Sequence, residues 1–211
     1  MQGFSPSPLP FKYTPPITLA TFIDPQCPYS KRAFFSLQSV SEHYKDKLLL
    51  TFHFCALPIH YAAFLAVQGL RIVERDYGTD KMFQYLHLIF ENQAQLQNSN
   101  TAAMTRHEIV TMLAEFAAEI GCDMERFRSG MTNWNYTKLA LRDWQYAVSR
   151  GVSGTPKFFL NDFAVVGLDS NSKLVDWRKR LDPLMTEVRE NSGDGAQIEE
   201  NGGMEEHGRV Q

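Results

Sequence analysis

The sequence predicts an α/β domain interrupted by a block of helices, and three observations carry that reading. A β-rich run, Ile17–Ile23 (ITLATFI), passes straight into a turn and then a helical pattern. A second strand-like run, Lys47–Phe54, follows, after which strand character disappears for about ninety residues. It returns only at Lys157–Leu160 (KFFL). With 211 residues, 44% of them hydrophobic, the chain can bury one good-sized core with a subdomain inserted into it.

Each element has a local reason. Residues 1–16 hold five of the ten prolines and read as an extended lead-in. Pro28 suits the first helical position, where its missing N–H would be unpaired anyway, and Phe34, Leu37, Ser41 and Tyr44 continue at helical steps. In Lys47–Phe54, residues Leu48, Leu50, Phe52 and Phe54 share one face. Helical spacing then marks His60–Asp76, Asp80–Gln97, Arg106–Ile120 and Trp134–Ser149. The third carries a capping box, Thr105 with Glu108, and stops at Gly121. The fourth places Trp134, Thr137, Leu141, Trp144 and Val148 on one stripe. A turn at Asn161-Asp162 joins Lys157–Leu160 to Phe163–Val166, and a last helix runs from about Ser172 to Glu190. The expected division is 17–58 with 150–190 as the α/β part, 59–149 as the helical insertion, and 191–211 as a polar, disordered tail.

Composition narrows the function classes. The net charge is −3 with no Lys/Arg block, so neither nucleic acid nor anionic membrane is an expected partner. Three scattered cysteines argue against a disulfide scaffold and against a paired-cysteine metal site; no metal is expected. No window approaches the ~18 apolar residues of a membrane span. The opening MQGFSPSPLPFKYTPP lacks the basic start and apolar run of a signal peptide, which makes a cytoplasmic location the expectation. Nothing in the sequence indicates an oligomeric state.

The informative stretch is Asp24-Pro25-Gln26-Cys27-Pro28-Tyr29-Ser30. A strand here delivers a cysteine to the start of a helix, where unpaired N–H groups and the positive end of the helix dipole favour an anion. Thiols so placed ionise below the free value of ~8.5, and the thiolate is the nucleophile, so Cys27 is the candidate reactive residue. A second stretch, Gly151-Val152-Ser153-Gly154-Thr155-Pro156-Lys157, sets a proline just before a buried-looking strand, as in a tight loop that can hold a cis peptide bond.

Together the two stretches resemble the active-site turn D-x-x-C-P-Y-C and the cis-proline loop G-V-x-G-T-P-x-F-x-x-N of DsbA-like thioredoxin-fold proteins. The resemblance spans roughly residues 17–188 and includes the family's inserted helical domain. It implies a thioredoxin-like fold, Cys27 beside Pro156, and a thiol or disulfide substrate bound by Pro28, Tyr29, Thr155 and Pro156, with the Thr155 backbone pairing with an extended chain.

The family's second active-site cysteine is here Ser30, and a serine hydroxyl cannot displace a thiolate. A mixed disulfide on Cys27 then needs another way out. Free glutathione, as co-substrate of a monothiol cycle, could release it. Cys55 could also do so, because parallel strands 1 and 2 end at the same sheet edge. Otherwise the domain binds thiols or peptides without turnover. Kappa-class glutathione transferases, with a similar S-P-Y-S turn, offer a further reading as transferase or isomerase. No bound cofactor is implied. Ser30 is also expected to donate a hydrogen bond to the Cys27 thiolate.

Other residues read more blandly. Asp24 caps the turn or accepts a proton. His53 and His60 flank Cys55, and Cys122 follows a helix stop; all three read as structural. Met82, Phe83, Leu86, Ile89, Phe90, Trp134 and Trp144 read as helix-packing core. The glycosylation pattern at Asn135 falls in a predicted helix and reads as chance.

Overall fold

The computed structural model describes residues 4–5 and 17–193. Strand β1 (Ile17–Ile23) feeds helix α1 (Pro28–Tyr44), and β2 (Leu48–Phe54) pairs with β1 in parallel. Seven helices follow before the sheet resumes: α2 (Ala63–Tyr77), α3 (Thr79–Glu91), α4 (Gln93–Leu96), α5 (Asn98–Thr101), α6 (Arg106–Glu119), α7 (Met124–Thr132) and α8 (Trp134–Ser149). β3 (Lys157–Leu160) returns antiparallel to β1, β4 (Phe163–Ala164) closes a hairpin, and α9 (Leu174–Gly193) ends the described chain. The sheet order is β2-β1-β3-β4. This is a thioredoxin-like fold with a helical insertion, as the element order predicts.

Several local signals act as read. Thr105 Oγ1 accepts from Glu108 N–H while Glu108 Oε2 accepts from Thr105 N–H, a complete capping box. Asn161 and Asp162 both have positive φ, +46° and +67°, the conformation of a two-residue hairpin turn whose twist matches the strands. Other boundaries shift. The helix expected over Asp80–Gln97 breaks at Asn92, where α3 gives way to short α4 and α5. α9 runs three residues into the expected tail; the remainder, 194–211, and lead-in residues 1–3 and 6–16 lie outside the described residues. Phe4 does have a role: it exchanges backbone hydrogen bonds with Phe52 on the free edge of β2, and its ring stacks on Phe54.

Both faces of the sheet are covered. On one, Leu19, Ile23, Leu50, Phe52 and Phe54 meet α1 and the helical block, and Phe158 meets Trp177 of α9. On the other, Phe22, Cys55, Val152 and Phe159 lie with Ala147 of α8, and Tyr146 tilts against Phe22 and His53. α8 corrects one expectation. Trp134 and Trp144 are not core: α8 buries Ala140, Asp143 and Ala147, roughly a quarter-turn away from that stripe at about 100° per residue. Small Ala side chains let this face approach the sheet closely, and Asp143 is held there by Arg71 of α2, Nε to Oδ2 at 2.5 Å.

His53 points away from the Leu48–Phe54 apolar face yet is buried, because α8 roofs that side of the sheet. Burial, with lesser repulsion from Arg71 and Arg150, pushes its imidazole down to about 4. The unfolded chain binds this proton near ~6.5 and the folded chain does not, so folding stability falls as pH drops from ~6.5 towards 4 and the loss levels off below that. We expect His53→Phe to flatten this part of the stability–pH curve, as read by denaturant unfolding across that range.

Candidate functional site

The site is built where β1 ends. Asp24 O accepts from Cys27 N–H at 3.0 Å, closing a turn through Pro25 and Gln26, and Cys27 becomes the N-cap of α1. No side chain caps the helix, and Pro28 at its first position has no N–H. The first-turn amides beside Cys27 therefore keep their anion-favouring character. Cys27 is 3% exposed yet belongs to neither apolar core cluster. Its Sγ donates to Thr155 O at 3.3 Å, so the sulfur sits against the Thr155–Pro156 loop, whose peptide bond is cis. Pro28 and Tyr29 are exposed at the helix start, and Thr155 and Pro156 are half-buried. The Thr155 hydroxyl is buried and has no hydrogen-bond partner among the described residues.

Asp24 is fully buried and works as the hub of the turn. Its Oδ1 accepts from Gln26 N–H at 2.7 Å, and its Oδ2 from Leu57 N–H at 2.7 Å. Oδ2 also meets His60 Nδ1 at 2.8 Å, so His60 has a partner at the site and is not incidental. Ser30 takes a different partner from the one expected. Its hydroxyl oxygen accepts from Asp24 N–H at 3.1 Å, and no Ser30–Cys27 hydrogen bond is formed among the described residues.

The helical insertion clamps the same turn through residues that sequence reading passes over. Gln93 Nε2 donates to both Pro25 O (2.9 Å) and Cys27 O (3.0 Å). Gln26 is fully buried; its Oε1 accepts from Ala62 N–H (2.8 Å) and its Nε2 donates to Asn98 Oδ1 (2.6 Å). Asn98 in turn holds the loop after β2, accepting from Tyr61 N–H and donating to Ile59 O. Glutamines amid polar helical stretches give no periodic signal; the break at Asn92 is the nearest clue.

Cys55 is not placed beside Cys27 as the expected resolving role requires. The two parallel strands do end at one edge, with Cys55 N–H donating to Ile23 O at 2.8 Å. Its side chain, however, turns under α8 into the cluster with Phe22 and Phe159, and the free cysteines are not near each other. Burial, then the charge of Asp24, pushes the Cys55 thiol up to about 11, which leaves it little nucleophilic character at neutral pH. Cys122 is likewise buried with its thiol raised by burial. Among the described residues no group of three His, Cys, Asp or Glu is placed to hold a metal, and no helix is long and apolar enough to cross a membrane.

Removing the hub should be costly. Asp24→Ala orphans the buried Gln26 N–H together with the half-buried Leu57 N–H and His60 ring, and we expect a loss of roughly 3 kcal/mol at ~1–3 kcal/mol per unpaired buried group. Gln93→Leu removes the donor to Pro25 O and one of two donors to Cys27 O, which keeps Lys31 N–H, and should cost ~1–3 kcal/mol while raising the rate of Cys27 alkylation. Denaturant unfolding and timed iodoacetamide labelling check both.

Residues 14–182 match the family model described as thioredoxin. Two curated relatives, both described as Na(+)/H(+) antiporter NhaA proteins, match more weakly. The Mycolicibacterium vanbaalenii protein is 26% identical over 154 residues, covering 71% of this chain and 22% of its own length. The Herminiimonas arsenicoxydans protein is 26% identical over 144 residues, covering 68% and 20%. The chain thus spans about a fifth of the length of the curated relatives it matches. Among solved structures, alpha-DsbA1 of Wolbachia pipientis superposes with a TM-score of 0.65 at 17% identity, covering 88% of this chain and 96% of that one. Oxidised BdbD of Bacillus subtilis gives 0.65 at 15%, covering 90% and 100%. A thioredoxin-like oxidoreductase of Silicibacter pomeroyi gives 0.59 at 18%, covering 83% and 88%. With residues 14–182 matched by the family model, the chain belongs to the thioredoxin family, and its fold is of the DsbA-like form.

Proposed function

We propose that the protein is a thiol–disulfide oxidoreductase of monothiol type. The observation that carries this reading is Cys27 Sγ at 3.3 Å from Thr155 O, at an uncapped helix N-terminus and outside the apolar core. Cys27 thiolate attacks one sulfur of a substrate disulfide. The substrate S–S bond breaks, a Cys27–S–S–R bond forms, and the other sulfur leaves as a thiolate. A second, external thiolate then attacks the mixed disulfide, carries R away as a new disulfide and restores Cys27. Glutathione is the expected external thiol. Thr155 and Pro156 dock the substrate chain, and their half-buried position against Cys27 Sγ supports that role.

Position 30 supports the monothiol form. Ser30 holds its hydroxyl against the Asp24 amide and supplies no thiol, and Cys55 is withdrawn under α8. The same serine also favours the runner-up reading, a thioredoxin-fold module that binds thiols or peptides without turnover. A kappa-class-like transferase finds no comparable support.

Exposure to oxidised glutathione should place a single glutathionyl adduct on Cys27, and reduced glutathione should clear it with turnover. Cys27→Ser is expected to abolish both, and Cys55→Ala to leave the clearance rate within twofold. Ser30→Cys should instead clear the adduct internally, leaving Cys27 in a disulfide with the introduced thiol. Intact-protein mass spectrometry reads all three, and an adduct that reduced glutathione fails to remove favours the binding module.

A further inference from the structure

Helix α8 shows solvent an apolar stripe that the core does not use. Trp134 is 62% exposed, Trp144 40% and Val148 48%, with Leu141 half-buried between them. At about 100° per residue these four positions fall within one sector of roughly 80°, and from 134 to 148 they run along about 21 Å of helix. Beside the stripe, on the side away from the buried Ala140 and Ala147, stand the exposed cations Lys138 and Arg142. The helix contains one acid, Asp143, which is buried and engaged by Arg71. Every exposed charge on α8 is therefore positive, in a chain whose net charge is −3.

These cations are also uncommitted. Neither Lys138 nor Arg142, nor Arg75 facing them from the end of α2, makes an ion pair among the described residues, whereas Arg126 and Arg150 do. The three line a polar cleft of about 470 Å³. Asp76 within it is already claimed by Arg126 Nε (2.7 Å) and Tyr136 Oη (2.6 Å), so the cleft remains net positive. Exposed tryptophan beside arginine is the composition of binding hot spots, and a contiguous exposed apolar strip marks an interaction surface.

We propose that this face of α8 docks an acidic amphipathic helix of a partner protein. The partner's apolar side chains cover Trp134, Leu141, Trp144 and Val148, and its carboxylates reach Lys138, Arg142 and Arg75. A polypeptide fits better than an anionic membrane surface because the cations lie on one side of the stripe only and converge on a cleft, where a carboxylate side chain can enter and a flat surface cannot. α8 ends at Ser149, six residues before Thr155, so a protein held here would bring its own disulfide towards Cys27. That last consequence rests on the proposed redox function; the docking does not.

Two of the three tryptophans lie on the proposed surface, and the third, Trp177, is 1% exposed, so intrinsic fluorescence reports the docking directly. The full chain is titrated with a synthetic helical peptide carrying leucine on one face and glutamate elsewhere, with the same peptide carrying lysine, and with phosphatidylglycerol vesicles. The expected result is a saturable blue shift with the glutamate peptide and an affinity at least tenfold weaker for the lysine peptide. The double variant Lys138→Glu/Arg142→Glu should reverse that preference while glutathione exchange at Cys27 stays within twofold of the parent. Equal affinity for both peptides, no binding of the glutamate peptide, or a shift with vesicles alone would overturn the proposal. Loss of glutathione exchange in the parent chain would count against the redox function and leave the docking result standing.

Discussion

The buried carboxylate of Asp24 is the interaction on which the site depends. A strand that ends in Asp-Pro-Gln leaves several backbone donors turned inward, away from water. One carboxylate takes up the Gln26 N–H from this turn and the Leu57 N–H from the loop after β2, and meets the ring of His60 as well. Burying a carboxylate is expensive unless its oxygens are fully engaged, and here three groups converge on it. That convergence ties the turn after β1 to the loop after β2 and sets where Cys27 begins the helix.

The helical insertion is part of the same device. Gln93 grips the carbonyls on either side of Gln26, and Asn98 links the Gln26 side chain to the loop carrying Ile59 and Tyr61. α8 contributes from the opposite face of the sheet, where Tyr146 and Ala147 cover Phe22 and His53 before the chain passes into the Thr155–Pro156 loop. Cys27 and Thr155 stand 128 positions apart in sequence, and packing of helices on both sheet faces brings them within hydrogen-bond reach.

How much of this can be read from the chain depends on the range of the interaction. Thr105 with Glu108, Asn161-Asp162 and Pro28 after Cys27 act within a few residues, so their spacing reports them directly. Helical period is equally legible in α8, but its phase is not. The repeat of Trp134, Leu141, Trp144 and Val148 marks a face without saying whether the neighbour is protein or solvent. The deciding contact, Asp143 with Arg71, spans 72 positions. Gln93 and Asn98 stay hidden for the same reason, since a polar side chain in a polar stretch looks solvated until its partner is placed. Cys55 turns on one step of strand geometry: sharing an edge with β1 says where its backbone lies, and the pleat decides which face its sulfur takes.

Ser30 brings these strands together. On sequence grounds it is a missing sulfur, defined by what it cannot do. In the fold its oxygen accepts the Asp24 amide, the one backbone donor of that residue, while the Asp24 carboxylate is occupied with its neighbours. A hydroxyl oxygen is a stronger acceptor than a thiol sulfur, so position 30 strengthens the turn that presents Cys27. The result is a firmer scaffold around a solitary thiol. On the proposed monothiol reading the second reactant comes from outside, which makes the two proposed docking surfaces, the Thr155–Pro156 edge and the exposed face of α8, as consequential as the sulfur itself.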